Sequence, residues 1–373
     1  MSVHGWPAPD VGEAFERAER VARRLEVSRD LAPPLVGSWL FHVARGQFAR
    51  AEEISGELFR IAGELDDPEV LLQAHHAAWP TRWLRGRFAD AEEHIGVGMA
   101  LYDEVRHRRH RYLYLGHDPA VCALAIGAPV LWLLGHAERA AQREREALEL
   151  ARRLGHAPSL AHALWFVGEG QVARGDAAAA VATAGELLAL CDEHKLPQPR
   201  ATALMFQGWA LARSGDVAEG NRRLEEGLAV WDGLGARSYL PRGLCLLAEV
   251  RLLAGRHAEG LQQVERALAV ATETGERWCV ARMHRLRAEL LLHSHGQNDG
   301  AVETSLRAAV DVARSQGATA WELQGAISLA RLIAERGERA EAHDLLASVY
   351  ARFGEGLDAP DLREAKELLE MLG

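Results

Sequence analysis

Lysine is nearly missing from this chain. Two residues, Lys195 and Lys366, are all there are in 373, the formal net charge is −10, and arginine supplies almost every positive charge. The four cysteines, Cys122, Cys191, Cys245 and Cys279, are widely spaced with no CxxC pair, which indicates neither a zinc site nor a redox motif and leaves reduced thiols as the simple reading. No apolar run approaches the ~18–20 residues of a membrane span, and the start MSVHGWPAPD has no basic end followed by a long apolar stretch, so a cytoplasmic protein without membrane contact is expected. A GxxxxGK[ST] phosphate loop is absent, and the one glycine cluster, GEGQVARG at 168–175, lacks dinucleotide spacing. No Ser/His/Asp or Cys/His arrangement stands out. The histidines at 75 and 76, at 107 and 110, and at 293 and 295 lack a third ligand at helical spacing. No catalysis, cofactor or metal is therefore expected, and the acidic balance argues against a nucleic-acid surface.

What the chain has in quantity is Ala, Leu, Glu and Arg, with few strand formers, which reads as an almost wholly helical protein. Its length exceeds the ~250–300 residues at which a single core stops growing, so several domains or an elongated array is expected. Periodicity decides for the array. Turn glycines stand at Gly46, Gly86, Gly135, Gly175, Gly215, Gly255, Gly296 and Gly337, about one every 40 residues except for a step of 49 after Gly86. Five residues after each comes a small residue: Ala51, Ala91, Ala140, Ala180, Gly220, Gly260, Ala301 and Ala342. Glycine caps the first helix of each unit in the left-handed conformation, and the small residue lets the second helix approach it closely. Asp67-Pro68 and Asp118-Pro119 supply a capping carboxylate followed by proline at the first helical position.

The pattern predicts an all-α, right-handed superhelical solenoid of about eight helical hairpins over residues 31–355, with an insertion at 103–117. An N-terminal helix within 1–30, either the orphan second helix of a repeat or a cap, precedes it, and a capping helix at 356–373 follows. A glycine and a small residue five apart in a helix pair resemble the tetratricopeptide repeat, lengthened here to about 40 residues. Longer strings, LYDEVRHRRHRYLYLGHDPAVCALAIGAPVLWLLGHAERA and ETGERWCVARMHRLRAELLL among them, resemble the C-terminal helical-repeat region of bacterial signalling proteins that join a class III adenylate or guanylate cyclase to a STAND-type ATPase. The resemblance implies a sensory or regulatory arm. With no phosphate loop present, neither cyclase nor ATPase activity carries over, and a protein, peptide or small effector is the expected partner. The alternative is a scaffold that self-associates into homo-oligomers through its repeats.

In tetratricopeptide arrays the first helix of each pair lines the concave groove. Positions 13, 10, 6 and 3 before each turn glycine share one helical stripe. The stripe carries His76, Trp83, Trp132, His162, Trp165, Glu169, Met205 and Trp209, with Arg213 at its edge, and continues through Arg242, Glu249, Arg282, Glu289, Gln324 and Arg331. It reads either as a binding groove for a flat or apolar ligand fixed by charged groups, or as packing between helices. Pro80 and Pro129 lie inside two of these helices and free the carbonyls of His76 and Ala125, which either face the groove or merely accompany superhelical curvature. The extra residues after Gly86 hold RHRRHRYLYLGH. Here the expectation is that YLYL, residues 112–115, packs back on the array while Arg106, Arg108, Arg109 and Arg111 stay accessible as an anion or acidic-partner site; a plain solvated loop is the other reading.

Overall fold

The computed structural model describes residues 5–22, 24, 29–114, 116–295 and 300–373. Helix α1 (Pro9–Ala22) precedes the pairs α2 (Ala32–Ala44) with α3 (Phe48–Leu65) and α4 (Pro68–Leu84) with α5 (Phe88–Leu101). After the short insertion helix α6 (His110–Leu113) come α7 (Pro119–Leu133) with α8 (Ala137–Leu154), α9 (Ala157–Ala173) with α10 (Ala177–His194), and α11 (Pro197–Arg213) with α12 (Val217–Gly233). The array continues with α13 (Leu240–Leu253) and α14 (His257–Thr274), α15 (Val280–His295) and α16 (Gly300–Ser315), then α17 (Thr319–Glu335) and α18 (Arg339–Tyr350). Helix α19 (Pro360–Leu372) follows them. These are the eight hairpins of a tetratricopeptide-like solenoid, and no strand occurs among the described residues.

Local chemistry explains the boundaries. The turn glycines have positive φ, from 70° at Gly46 to 104° at Gly215; Gly296 lies outside the described residues. Asp67 accepts hydrogen bonds from the Glu69 and Val70 amides, and Asp118 from those of Ala120 and Val121, so both helices start where an aspartate precedes proline. Most of the second helices also end in a left-handed residue, α5 and α18 excepted. Two of these are Asp66 and Lys195, which carry no glycine signature and are not visible in the spacing. Pro80 and Pro129 sit inside continuous helices, and next to the first the Thr81 hydroxyl donates to the Ala77 carbonyl while accepting from the Trp39 indole at 3.0 Å.

The superhelix winds tightly enough to close on itself. The Ala44 carbonyl, at the end of α2, accepts from the Arg237 and Ser238 amides at 2.9 and 3.2 Å, and the Leu84 carbonyl, at the end of α4, accepts from those of Arg277 and Trp278 at 2.8 and 3.2 Å. Farther along, Arg85 donates to the Gly275 carbonyl and the Glu138 amide to the Glu355 carboxylate. Repeats five apart thus supply partners for helix-end carbonyls that a helix leaves unsatisfied. The consequence for the predicted stripe is direct. Because the first helices of early and late repeats face each other across the axis, most of the stripe is interior: Trp83, Trp132, Trp209, Met205, His76, Glu169, Arg242 and Glu249 are all buried.

The small residues work as expected. Ala51, Ala91, Ala140, Ala180 and Ala342 are fully buried, and a Cβ added to Gly220 would stand 2.5 Å from the Gly208 carbonyl oxygen. This makes a signed test. Gly220→Ala should lower stability, because the close backbone cannot retreat and overpacking of roughly 1–3 kcal/mol outweighs the helix-propensity gain of about 1 kcal/mol. Gly185→Ala, in α10 with nothing within 4 Å of its added Cβ, should raise it by up to about 1 kcal/mol. Urea denaturation of both variants checks the pair, and equal signs would refute the packing argument.

Candidate functional site

Closure of the superhelix turns the stripe into an aromatic spine. Trp83 meets Trp278 with ring centroids 4.6 Å apart, Trp278 stacks on Tyr239 at 5.5 Å, and Trp321 continues the row at 5.9 Å from Trp278 and 6.4 Å from Trp132. Below it lies a buried ion network. Glu169 accepts from the Tyr239 hydroxyl and from Arg242 at 2.8–3.0 Å, and Glu249 accepts from the Trp209 indole at 2.9 Å and from Arg282 at 3.1 Å. Burial pushes the Glu169 carboxyl up against the pull of Arg242. At Glu249 burial acts in the same upward direction, but Arg282 and Arg242 together overcome it and hold the carboxyl below the usual range. Removing one partner of such a network leaves an uncompensated buried charge.

On either side of this plug lies a cavity. The polar one, about 560 Å³, is lined by eight of the stripe residues, Trp209, Arg213, Arg242, Glu249, Arg282, Glu289, Gln324 and Arg331, and also by Arg285 and Trp321. Arg285 pairs with Glu289 at 2.7 Å and Arg331 with Glu364 at 2.8 Å. Two of its guanidinium nitrogens, Arg282 Nη1 and Arg285 Nε, are buried with no acceptor among the described residues. The aromatic cavity, about 480 Å³, is lined by Trp83, His162 and Trp165 from the stripe, and by Trp6, Trp39, Tyr114, His117, Cys122 and Tyr239. His76, Trp132, Glu169 and Met205 line neither. Met205 packs beneath Gly227 and Gly243, where it replaces missing side chains, and Trp132 packs edge-on against Trp321, so for these two packing is the structural role.

Histidines from the insertion dock into the body. A polar chain runs from Glu69 through His110, Gln73 and His76 to His117, with steps of 3.4, 2.9, 3.3 and 3.2 Å, and His117 stacks on His162 at 4.1 Å. Burial keeps His76 and His162 neutral by lowering their pKa well below the ordinary value, and lowers that of His110 to about 4. The expected accessible arginine patch is corrected here. Arg111 is buried and donates to the Arg108 and Leu154 carbonyls, the latter at the end of α8; Arg106 pairs with Glu69; only Arg108 and Arg109 remain exposed without a salt bridge among the described residues. The aromatic half is corrected too. Tyr114 packs inward, but Tyr112 and Leu113 are exposed, because the single turn of α6 has one inner face and His110 and Arg111 occupy it; Leu115 lies outside the described residues.

Tyr239, Glu276, Trp278 and Trp321 are central to the site and lie off the stripe. The signal for the three aromatics is their place three or four residues after the second-turn glycines Gly235, Gly275 and Gly317; Glu276 has none of this kind. Gln73 and Cys122 do fall on the stripe, 13 residues before Gly86 and Gly135. All four cysteines are unbridged and buried.

No protein-family model matches the chain. A protein of Rhizobium meliloti (strain 1021) is 32% identical over 309 residues, which is 82% of this chain and 30% of that protein; the chain thus spans under a third of the relative's length. Among solved structures, a Rap protein complexed with Competence and Sporulation Factor superposes with a TM-score of 0.62 at 13% identity, over 98% of this chain and 96% of that one. The apo quorum sensor NprR from B. thuringiensis gives 0.51 at 14% identity, over 91% and 94%. At these identities the likeness is one of fold. No described helix is long and apolar enough to cross a membrane.

Glu276 supplies the pH dependence. It is buried, accepts only from the Tyr239 amide and the Trp278 indole at 2.8 Å each among the described residues, and burial outweighs both to push its carboxyl up to about 7. The folded chain therefore holds a proton that the unfolded chain, with a carboxyl near 4.5, has released. Stability is highest below about pH 4.5 as far as this group is concerned, and falls as pH rises to about 7, by on the order of 3 kcal/mol. Glu276→Gln should flatten that segment of a urea-derived stability profile. A wild-type slope that survives the substitution would assign the titration elsewhere.

Proposed function

We propose that the chain is a non-catalytic regulatory module that binds a short peptide in the polar cavity. The observation that carries this reading is the pair of buried, acceptor-less guanidinium nitrogens of Arg282 and Arg285 in a cavity walled by charges of both signs. An unpaired buried donor costs about 1–3 kcal/mol, and a carboxylate matches the guanidinium fork. Glu249, Glu289 and Asp361 on the same walls suit the amino groups and amides of a zwitterionic chain. The cavity is also of the size, about 300–1,000 Å³, that small ligands occupy. The shared fold of a Rap protein complexed with Competence and Sporulation Factor supports the reading by analogy. A place as the sensory arm of a larger cyclase–ATPase signalling protein rests on the sequence resemblance, and a relative more than three times as long as the matched segment is in keeping with it.

The test is a library of short peptides, each with a free and an amidated C-terminus, screened against the whole chain. Free-acid peptides should be retained, amidation should weaken them at least tenfold, and Arg285→Gln should do the same while leaving the melting temperature nearly unchanged. Binding indifferent to both changes would overturn the assignment. No retained peptide, together with a mass that grows with concentration in light scattering, would favour the self-associating scaffold.

A further inference from the structure

His117 and Cys122 on the wall of the aromatic cavity meet His76 just behind it, and the peptide reading does not use their chemistry. His76, His117 and Cys122 bring two imidazole nitrogens and a thiol within 4.8 Å of one another. They come from two neighbouring repeats: His76 from the middle of α4, Cys122 from the first turn of α7, and His117 from the segment that leads the insertion into α7. We propose that these three side chains form a binding site for a borderline-soft metal ion of the Zn²⁺ type, with the fourth coordination position open to the cavity.

Four observations support this. With Zn–N distances of about 2.0–2.1 Å, two nitrogens of a tetrahedral site are about 3.3 Å apart. The His76 and His117 Nε2 atoms are already 3.2 Å apart. Second, the His76 tautomer is set from outside: its Nδ1 faces the Gln73 amide oxygen at 3.3 Å, and the Gln73 nitrogen faces His110 at 2.9 Å. A proton on Nδ1 leaves Nε2 with a free lone pair, which is how ligating histidines are usually oriented. Third, the rings are clamped, His76 by Trp79 at 4.8 Å and His117 by His162 at 4.1 Å, and the Trp79 indole donates to Cys122 Sγ at 3.4 Å, a bond a thiolate strengthens. Fourth, the donor set is nitrogen and sulfur with no carboxylate, which selects Zn²⁺ over Mg²⁺ or Ca²⁺.

Closing the site needs a sulfur shift on the order of 1 Å, since a Zn–S bond of about 2.3 Å places sulfur about 3.6 Å from each nitrogen. Binding converts the thiol to a thiolate: the S–H bond breaks, the sulfur pair forms the metal bond, and the proton passes to solvent. No electron is transferred. Affinity should therefore rise with pH. The site is independent of the peptide reading, because it uses the other cavity.

The experiment uses the whole chain, stripped with a chelator and titrated with Co²⁺, then with Zn²⁺ in competition with a chromophoric chelator. One equivalent of Co²⁺ should produce a near-ultraviolet thiolate-to-metal band and the intense visible bands of a four-coordinate ion, and Zn²⁺ should bleach both. Cys122→Ser should abolish the thiolate band, and Gln73→Leu should weaken Zn²⁺ binding about 10–100-fold with the band retained. The half-exposed His75 and His94, 3.0 Å apart, offer a competing surface site, but one that contains no sulfur. Absence of the thiolate band in the wild-type protein overturns the proposal and leaves His76 and His117 as a hydrogen-bonded pair. That readout does not depend on any variant folding.

Discussion

Two backbone carbonyls, those of Ala44 and Leu84, hold the interior of this molecule closed. Each ends a first helix in an early repeat and each accepts two amides from the turn that opens a repeat five units later. A hydrogen bond of this kind contributes only about 0.5–1.5 kcal/mol net, so the four are not the main source of stability. Their role is geometric. They fix the pitch of the superhelix so that Tyr239, which directly follows one bonded pair, and Trp278, whose own amide belongs to the other, are carried into the axis against Trp83. What would be an open groove in a looser solenoid becomes a packed spine with a cavity on either side.

The two cavities differ because the plug between them is one-sided. Toward the later repeats Arg242 and Arg282 are already committed to Glu169 and Glu249, and the remaining guanidinium valences point into the polar cavity. Toward the early repeats the wall is tryptophan, tyrosine and phenylalanine with His117, His162 and Cys122, and burial favours the neutral forms of His162 and Cys122. An occupant of either chamber would bear on the same Glu169–Tyr239–Arg242 cluster, and through Tyr239, itself in a left-handed backbone conformation, on the turn that clasps Ala44.

Much of this was legible in the sequence, and the rest was hidden for identifiable reasons. The hairpins were readable because glycine at a left-handed turn and a small residue five places on are local requirements of chain geometry. The stripe was readable for the same reason, since helical spacing alone places Trp209, Arg242 and Glu249 on one face. Whether that face meets water depends on superhelical pitch, which is set by contacts between residues some 190 positions apart, and no local pattern reports it. The insertion shows the limit from the other side. Its arginines and tyrosines drew attention by type, yet the inward contacts with the body include those of His110, which opens α6 against Gln73 and Tyr114, and of His107 packed on His110, and nothing in their spacing announces them.

Amide hydrogen exchange at Arg237, Ser238, Arg277 and Trp278 tests the closure most directly. In an open solenoid these turn amides face solvent and exchange as quickly as those of other inter-repeat turns. In the closed form all four should be protected to nearly the level of the adjoining helices, and Gly46→Val, which would force a Cβ to within 2.8 Å of Thr274 in the facing repeat, should release the Arg237 and Ser238 pair first. Fast, unprotected exchange at these four positions in the wild-type chain would contradict the account.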